Sequence, residues 1–569
     1  MKKYKATTPE ITVGRINNIL NSLHIPFKEM AKGDGELFCS YRLAITNDED
    51  IAIGTNGKGM TPAYAQASAY AEMMERLQNR VLIYPNPANY NKGYIFFPDE
   101  NRLALMKNEI NNMVRFYTPR AMPKIGITVE KMDCVFLDFY NVNKKCLESV
   151  PYSLLRWVNG SNGMCAGNIP EEALIQGFNE IFERYCLQEI YLRKITPPTI
   201  PESEFENTAI LSTLWRMRSD YGMDFCIKDC SLGEGFPVIG LLVYNKDKSK
   251  YIMQLGADLS PEVALERCFT EIFQGHTADD LVFDNKFDDN AQLELFNEFK
   301  RSLVYGRGRM PAEFFYDVPT HAYSHQDRIP LGSDFSEDLK NITMWLMKRN
   351  YSIYIRDNSF LGFPTFHIFI PGMSDISCEF CSLNDRILEM NATDQKISPI
   401  YRLPLIKEDE SFQLAIDILE RKDGDVITLF PHNNNKANNV NRLLILMLLH
   451  FRRGNDVQAA YYLERYITKK NANGQQVAPY YHCILSLLQG NSIPNDASEK
   501  LEWQTAIALM KHREYALNTC DLPTCYDCSK CPMIQGCKYD LLCKVEENTR
   551  KAMEGSCCNQ ENLKTIFES

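Results

Sequence analysis

Several features are missing from this 569-residue sequence, and each absence removes a class of function. The longest strongly apolar run is Leu443–Leu449, LLILMLL, far too short to cross a bilayer. The first residues, MKKYKATTPE, carry lysines with no apolar segment behind them, so no secretory signal is visible and a soluble cytoplasmic protein is expected. Basic residues are outnumbered, 62 against 73 acidic, giving a net charge of -11 and no general affinity for nucleic acid. Lys58 stands in a GKG triplet, but the GxxxxGK[ST] spacing of a P-loop is absent, and so are HExxH, GxSxG and the kinase signatures.

What remains is an ordinary globular composition, 45% hydrophobic and 24% charged, long enough for more than one folded unit. Three regions separate. Residues 1–405 mix strand-like runs (VLIYP, DCVFLDFY, PVIGLLVYN, SIYIRD, FHIFIPG) with helical stretches at Ala63–Arg80, Glu171–Leu192 and Pro261–Phe273, an α+β pattern. Residues 406–515 read as all-helical, with two segments joined at Gly454–Asn455–Asp456 in a manner similar to tetratricopeptide hairpins. Residues 516–569 form a short cysteine-rich tail.

Three blocks carry chemistry. In residues 55–80 a glycine-rich turn, Gly57–Lys58–Gly59, precedes a helix that Pro62 can start. Ser68, Glu72 and Glu75 share one face of it. In residues 161–186 a Gly/Asn-rich loop leads through Pro170 into a helix with Glu172, Glu180 and Glu183 in one stripe. The rest of that helix is apolar over most of its circumference, so it is expected to be buried, with its glutamates partly buried too. In residues 256–274, Arg267 and Glu271 stand one turn apart, either an ordinary helix ion pair or a phosphate contact beside a metal ligand. Like charges one turn apart repel, and a carboxylate taken from water needs a partner or a proton. Alone, an ExxE stripe is more often a solvated face. Two such stripes on apolar helices point to a hard divalent cation, magnesium, shared with phosphate oxygens.

Together the blocks resemble the YcaO family. Its signatures are matched by SAYAEMMER, by SNGMCAGNIPEEALIQGFNEIFER and by the AxxRxxxE pattern that ends at Glu271, in the expected order over most of residues 1–400. NGKGMT before the first signature and PGMSDI at 371–376 are similar to the branch with a helical C-terminal extension. The resemblance implies an ATP site in which Glu72, Glu75, Glu180, Glu183 and Glu271 hold Mg2+ against the phosphates. It further implies nucleotide contacts from Lys5, Thr12, Ser68, Asn168, Glu172, Arg184 and Arg267. The implied chemistry is ATP-dependent phosphorylation of a peptide backbone amide, giving an azoline, a thioamide or an amidine; the implied assembly is a homodimer. Azoline-forming members end in a proline-rich tail, whereas this sequence ends LKTIFES, which argues against cyclodehydration. The helical-extension branch includes accessory factors linked to ribosomal protein methylthiolation. An accessory role beside a partner modification enzyme therefore stands as the alternative to direct action on a peptide or protein substrate.

Of 19 cysteines, eight fall between Cys520 and Cys558. The run Cys525, Cys528, Cys531, Cys537 has the spacing of a zinc or iron–sulfur site, since thiolates so placed can wrap one soft metal or cluster. Cys378 and Cys381 could join such a site or lie in the core. Purified protein is expected to carry stoichiometric zinc or iron by elemental analysis. Metal-free protein whose tail thiols all titrate freely would overturn that expectation.

Overall fold

A computed structural model describes residues 5–34, 37–46, 53–82, 97–121, 129–247, 249–273, 285–286, 295–376, 403, 409–421, 426–428, 439–472, 475–519, 539–556 and 560–568. It divides into two compact units. The first takes in Met1–Ile83, Phe96–Leu383 and Cys543–Ser569, the second Tyr84–Ile95 and Asn384–Leu542. This division differs from boundaries drawn on composition at 405 and 515, because the end of the chain is counted with the first unit.

Among the described residues the first unit contains three antiparallel sheets. β1 (Phe27–Asp34), β2 (Cys39–Ile45) and β3 (Ile53–Gly59) form one in that order. The second holds β4 (Asn101–Met106), β5 (Lys131–Asn141), β6 (Cys146–Val150), β7 (Met164–Ala166), β12 (Tyr354–Asp357) and β13 (Thr365–Phe369). Its order is β4-β5-β12-β13-β7, with β6 also on β5. The third is β11-β10-β9-β8, from β8 (Met223–Asp229), β9 (Val238–Asn245), β10 (Lys250–Ala257) and β11 (Asn285–Lys286). Helices of this unit are α1 (Pro9–Ser22), α2 (Pro62–Gln78), α3 (Lys107–Tyr117), α4 (Tyr152–Asn159), α5 (Pro170–Arg193), α6 (Ala209–Tyr221), α7 (Pro261–Ile272), α8 (Leu295–Tyr305) and α9 (Phe335–Lys348).

The three helices read from the carboxylate blocks are α2, α5 and α7, and each starts on a proline. A proline at the first helical position gives up an N–H that would be orphaned anyway. Thr61 and Ser260 cap α2 and α7 by accepting from the N–H of Tyr64 and Val263. Helix α5 is the centre of the unit. Phe178, Phe182, Ile190 and Tyr191 are buried with Phe366 and Ile368 of β13, Tyr251 and Leu255 of β10, and Ile342 and Leu346 of α9 in one cluster. It therefore lies between two sheets, and its glutamate stripe is partly buried as a consequence: Glu172 is buried, while Glu180 and Glu183 are half-buried.

Gly57–Lys58–Gly59, expected as a turn, is instead the end of strand β3, paired with Cys39–Tyr41 of β2. The strand runs flush against α2: a Cβ on Gly57 would sit 1.9 Å from the Ala65 carbonyl oxygen and 2.4 Å from the Ala69 nitrogen. The third sheet repeats the device at Gly256, where a Cβ would meet the Ala264 oxygen of α7 at 2.4 Å. Of the predicted strands, DCVFLDFY, PVIGLLVYN, SIYIRD and FHIFIPG fall on β5, β9, β12 and β13. The VLIYP run does not form a strand in its described part: Val81 and Leu82 follow the end of α2.

The second unit holds α10 (Asp409–Arg421), α11 (Arg442–Arg452), α12 (Asp456–Ala472), α13 (Pro479–Leu488) and α14 (Leu501–Lys511). The LLILMLL run lies in α11 and is almost wholly buried against Phe412, Leu419, Ala459 and Leu463. Gly454, at φ 76°, makes the expected sharp connection from α11 to α12. All-helical is too strong a description, because the β-branched run Val426–Thr428 pairs antiparallel with Asn439–Asn441. Helix α15 (Tyr539–Glu554) and α16 (Asn562–Phe567) close the chain. Cys378, Cys381, Cys520, Cys525, Cys528, Cys531 and Cys537 lie outside the described residues. Among the described residues no helix is long and apolar enough to cross a membrane.

The flush packing of β3 on α2 gives a paired prediction. Gly57→Val should lower unfolding free energy by about 1–3 kcal/mol, through forced separation of strand and helix. Gly14→Ala, on the open face of α1 with nothing within 4 Å, should raise it by roughly 0.5–1 kcal/mol. Denaturant unfolding of both variants checks the contrast.

Candidate active site

Helix α2 presents Glu72, Glu75 and Arg76; α5 presents Glu180, Glu183 and Arg184; α7 presents Arg267 and Glu271; β3 contributes Lys58. Their charges meet in one recess. Arg76 pairs with Glu72 at 3.4 Å and with Glu75 at 3.6 Å, and Arg184 pairs with Glu180 at 2.8 Å. Lys58 pairs with Glu271, which ties β3 to α7. Arg267 pairs with Asp258 at 3.4 Å, and Asn179 of α5 donates to the same Asp258 oxygen at 3.5 Å. The backbone N–H of Asn56 donates to Glu72 at 3.2 Å, while Arg42 of β2 donates to the Asn56 side chain at 2.9 Å. Six carboxylates are thus set among five cations, leaving negative charge in excess.

Burial acts on that excess. It pushes Glu75 up to about 8; Arg76 opposes the shift, and the neighbouring Glu180 and Glu72 add to it. Burial likewise pushes Glu183 up to about 7, against the pull of Lys58 and Arg184. Lys58 is pushed down to about 8 by burial, with Glu183 and Glu72 resisting. These side chains are surrounded by protein but not sealed off: Glu75 keeps 16% of its side chain exposed and Glu72 keeps 31%.

A second group sits at the start of α5. Lys5 pairs with Glu172 at 3.4 Å, and the N–H of Ala6 donates to Glu172 at 3.2 Å. Thr12 donates to the Asn168 side chain at 2.7 Å, and Asn168 donates on to Glu172 at 3.3 Å. Arg15 of α1 donates to the Asn168 carbonyl at 3.1 Å. Ser68 lies one turn before Glu72 on α2 and is half-buried. The expected residues therefore fall into a carboxylate cluster (Glu72, Glu75, Glu180, Glu183, Glu271, Arg184, Arg267) and a polar cluster (Lys5, Thr12, Asn168, Glu172), joined through α5. Sequence reasoning set Lys58 aside for want of a P-loop. It also passed over Arg76, Arg42 and Asp258. The signal for Lys58 was there: a lone lysine between two glycines directly before a glutamate-bearing helix.

Among the described residues no three acidic, histidine or cysteine side chains converge closely enough to hold a metal as they stand. The donor chemistry fits magnesium nonetheless. The oxygens are hard carboxylates in excess over their cations, and Mg2+ is usually bound by one or two protein carboxylates together with phosphate oxygens and water.

The family model for YcaO cyclodehydratases, described as ATP- and Mg2+-binding, matches residues 56–374. The chain belongs to the YcaO family. The Escherichia coli K12 ribosomal protein S12 methylthiotransferase accessory factor YcaO is 26% identical over 340 residues, 57% of either chain. An uncharacterised Haemophilus influenzae protein is 26% identical over 339 residues, again 57% of either chain. The match thus spans little more than half the length of these relatives. The structure of YcaO from Methanopyrus kandleri bound with AMPPCP and Mg2+ aligns at TM-score 0.43 and 16% identity, covering 65% of this chain and 92% of that one.

The raised glutamates of the YcaO cluster predict an inverted pH response in metal-free protein. Glu75 and Glu183 bind protons more tightly folded than unfolded. Between the ordinary carboxylate range and pH 7–8 the folded state holds the extra protons, so their contribution to stability is present at the acidic end and is lost as pH rises through that window. In chelator, Glu75→Gln should raise Tm at pH 8 and flatten its slope between pH 5 and 8. Melting curves at a series of pH values check this.

Proposed function

We propose that the recess binds ATP with Mg2+ and activates a backbone amide of a peptide or protein by phosphorylation. The observation that carries the reading is the excess of recessed carboxylates on three helices, with Lys58, Arg76, Arg184 and Arg267 interleaved. Glu72, Glu75, Glu180, Glu183 and Glu271 are the candidates to hold the metal. When bound, Mg2+ neutralises phosphate charge and stabilises the transferring phosphoryl group. The arginines and Lys58 are placed to exchange carboxylate partners for phosphate oxygens. Lys5, Thr12, Asn168 and Glu172 offer a polar surface for the remainder of the nucleotide, and Ser68 adds a hydroxyl on α2.

In the proposed reaction a nucleophile adds to the amide carbonyl, and the resulting oxygen attacks the γ-phosphorus. ADP leaves; the former amide oxygen then departs with the phosphate, and a proton is lost. An amide oxygen is a poor leaving group until it is phosphorylated, which is why ATP is needed. Azoline, thioamide or amidine follows from the identity of the nucleophile. The second reading, an ATP-binding accessory factor for another modification enzyme, is favoured by the designation of the E. coli relative. The assembly proposed with either reading is a homodimer.

Single-turnover incubation with ATP and candidate peptides separates the two. Phosphate release that depends on peptide, with a matching mass change, is the enzyme's outcome. ATP binding without modified product is the accessory's. In both cases Glu180→Gln and Glu183→Gln should weaken Mg-dependent ATP binding at least about tenfold, the scale expected for lost charge-assisted contacts in a phosphate site. Unchanged binding in both variants would sink the site assignment.

A further inference from the structure

The end of α2 is pinned by three consecutive buried polar residues, each reaching a different neighbour. Gln78 donates to the Phe363 carbonyl at 2.8 Å and the Thr365 hydroxyl at 2.5 Å, and accepts from the Leu361 N–H at 2.7 Å. Asn79 donates to the Glu75 carbonyl at 3.0 Å and accepts from Asn358 at 2.9 Å. Arg80 pairs with Glu546 of α15, 466 positions further along the chain. Its φ is 59°, the left-handed region where a helix normally ends on glycine. Holding an arginine there costs backbone energy. Its side chain, 1% exposed, is used on the C-terminal segment.

That segment grips two more elements. Asn548 donates to the Leu23 carbonyl at the end of α1 at 2.9 Å. Gln560 makes a reciprocal pair with the backbone of Asp357: the Asp357 N–H donates to it at 2.8 Å, and it donates to the Asp357 carbonyl at 2.8 Å. Asp357 opens the 357–365 loop that holds Gln78 and Asn79. The same loop accepts from Arg15 at the Gly362 carbonyl (2.5 Å), and Arg15 also reaches Asn168 at 3.1 Å. Every element the segment holds therefore carries or contacts a site residue: α1 with Thr12, α2 with Glu72 and Glu75, and the loop that shares Arg15 with Asn168.

We propose that Glu546, Asn548 and Gln560 brace the nucleotide site, with Glu546 and Gln560 as positioning residues that fix the C-terminal end of α2 and hence the placement of Glu72 and Glu75. The brace rests on the reading of the recess as a Mg2+–nucleotide site. It works by geometry. With the last turn of α2 tied to α15 and to the loop, the helix cannot slide along β3, and its carboxylates keep their register with those of α5.

The test uses the full chain, with AMPPCP and Mg2+ as probe, titrated calorimetrically below the onset of melting. Glu546→Gln should weaken binding about threefold to tenfold and raise the Mg2+ needed for half-saturation, a span typical of substitutions that act on a site through neighbours. Glu546→Asp, which keeps the charge, should recover most of the loss. Gln560→Glu, which keeps one of the two bonds to Asp357, is the milder second variant and should weaken binding about twofold to threefold. If both variants bind as the wild type does, with or without a lower Tm, the segment is merely structural and the proposal falls while the site reading stands. If the wild type itself does not bind the probe, the site reading falls and the brace with it.

Discussion

Carboxylates on packed helices are the constraint from which the rest of the first unit follows. Helix α5 is apolar around most of its circumference and lies between two sheets, so Glu180 and Glu183 are held half-buried, with limited access to bulk water. A charge in that position must be paired, protonated or coordinated. The chain meets this by bringing cations from three other elements: Arg76 from α2, Lys58 from β3 and Arg267 from α7. Those cations carry carboxylates of their own, at Glu72, Glu75, Glu271 and Asp258, so pairing spreads the negative charge without removing it.

Bringing three helices so close needs thin packing, and glycine supplies it. Gly57 lets β3 lie against the backbone of α2, and Gly256 lets β10 lie against α7. The alanines of α2 serve the same end: Ala65 and Ala69 face the strand with no side-chain bulk beyond a methyl group. Small residues on these helices are therefore the condition under which their glutamates can converge. Stability and function here share one geometric requirement.

How much of this was legible depended on range. The three helices were readable because their signals are local: proline starts and apolar periodicity. Strands β5, β9, β12 and β13 were readable from their β-branched and aromatic runs. The ion pairs of the recess were not, since Lys58 meets Glu271 across 213 residues and nothing near either position announces the other. Gly57–Lys58–Gly59 was misread as a turn for a related reason. Glycine marks a turn and a close backbone approach equally well, and only the partner helix decides between them. The C-terminal segment was hidden for the same cause: Arg80 and Glu546 look like surface charges until they are seen paired, with Arg80 buried.

Lys58 shows what the recess is poised to do. Its ammonium lies among carboxylates and is pushed down to about 8, while Glu183 and Glu75 are pushed up to about 7 and 8. Without metal, then, acids and base compete for protons in one narrow range near neutrality. If the site takes Mg2+ as proposed, the glutamates would give up protons to it and Lys58 would part from Glu271. The released ammonium would then stand between strand and helices, where a phosphate group would bring compensating negative charge. On the proposed reading, the lysine that lacks a P-loop would reach a phosphate by a different route, from a strand whose two flanking glycines let it lie against a helix.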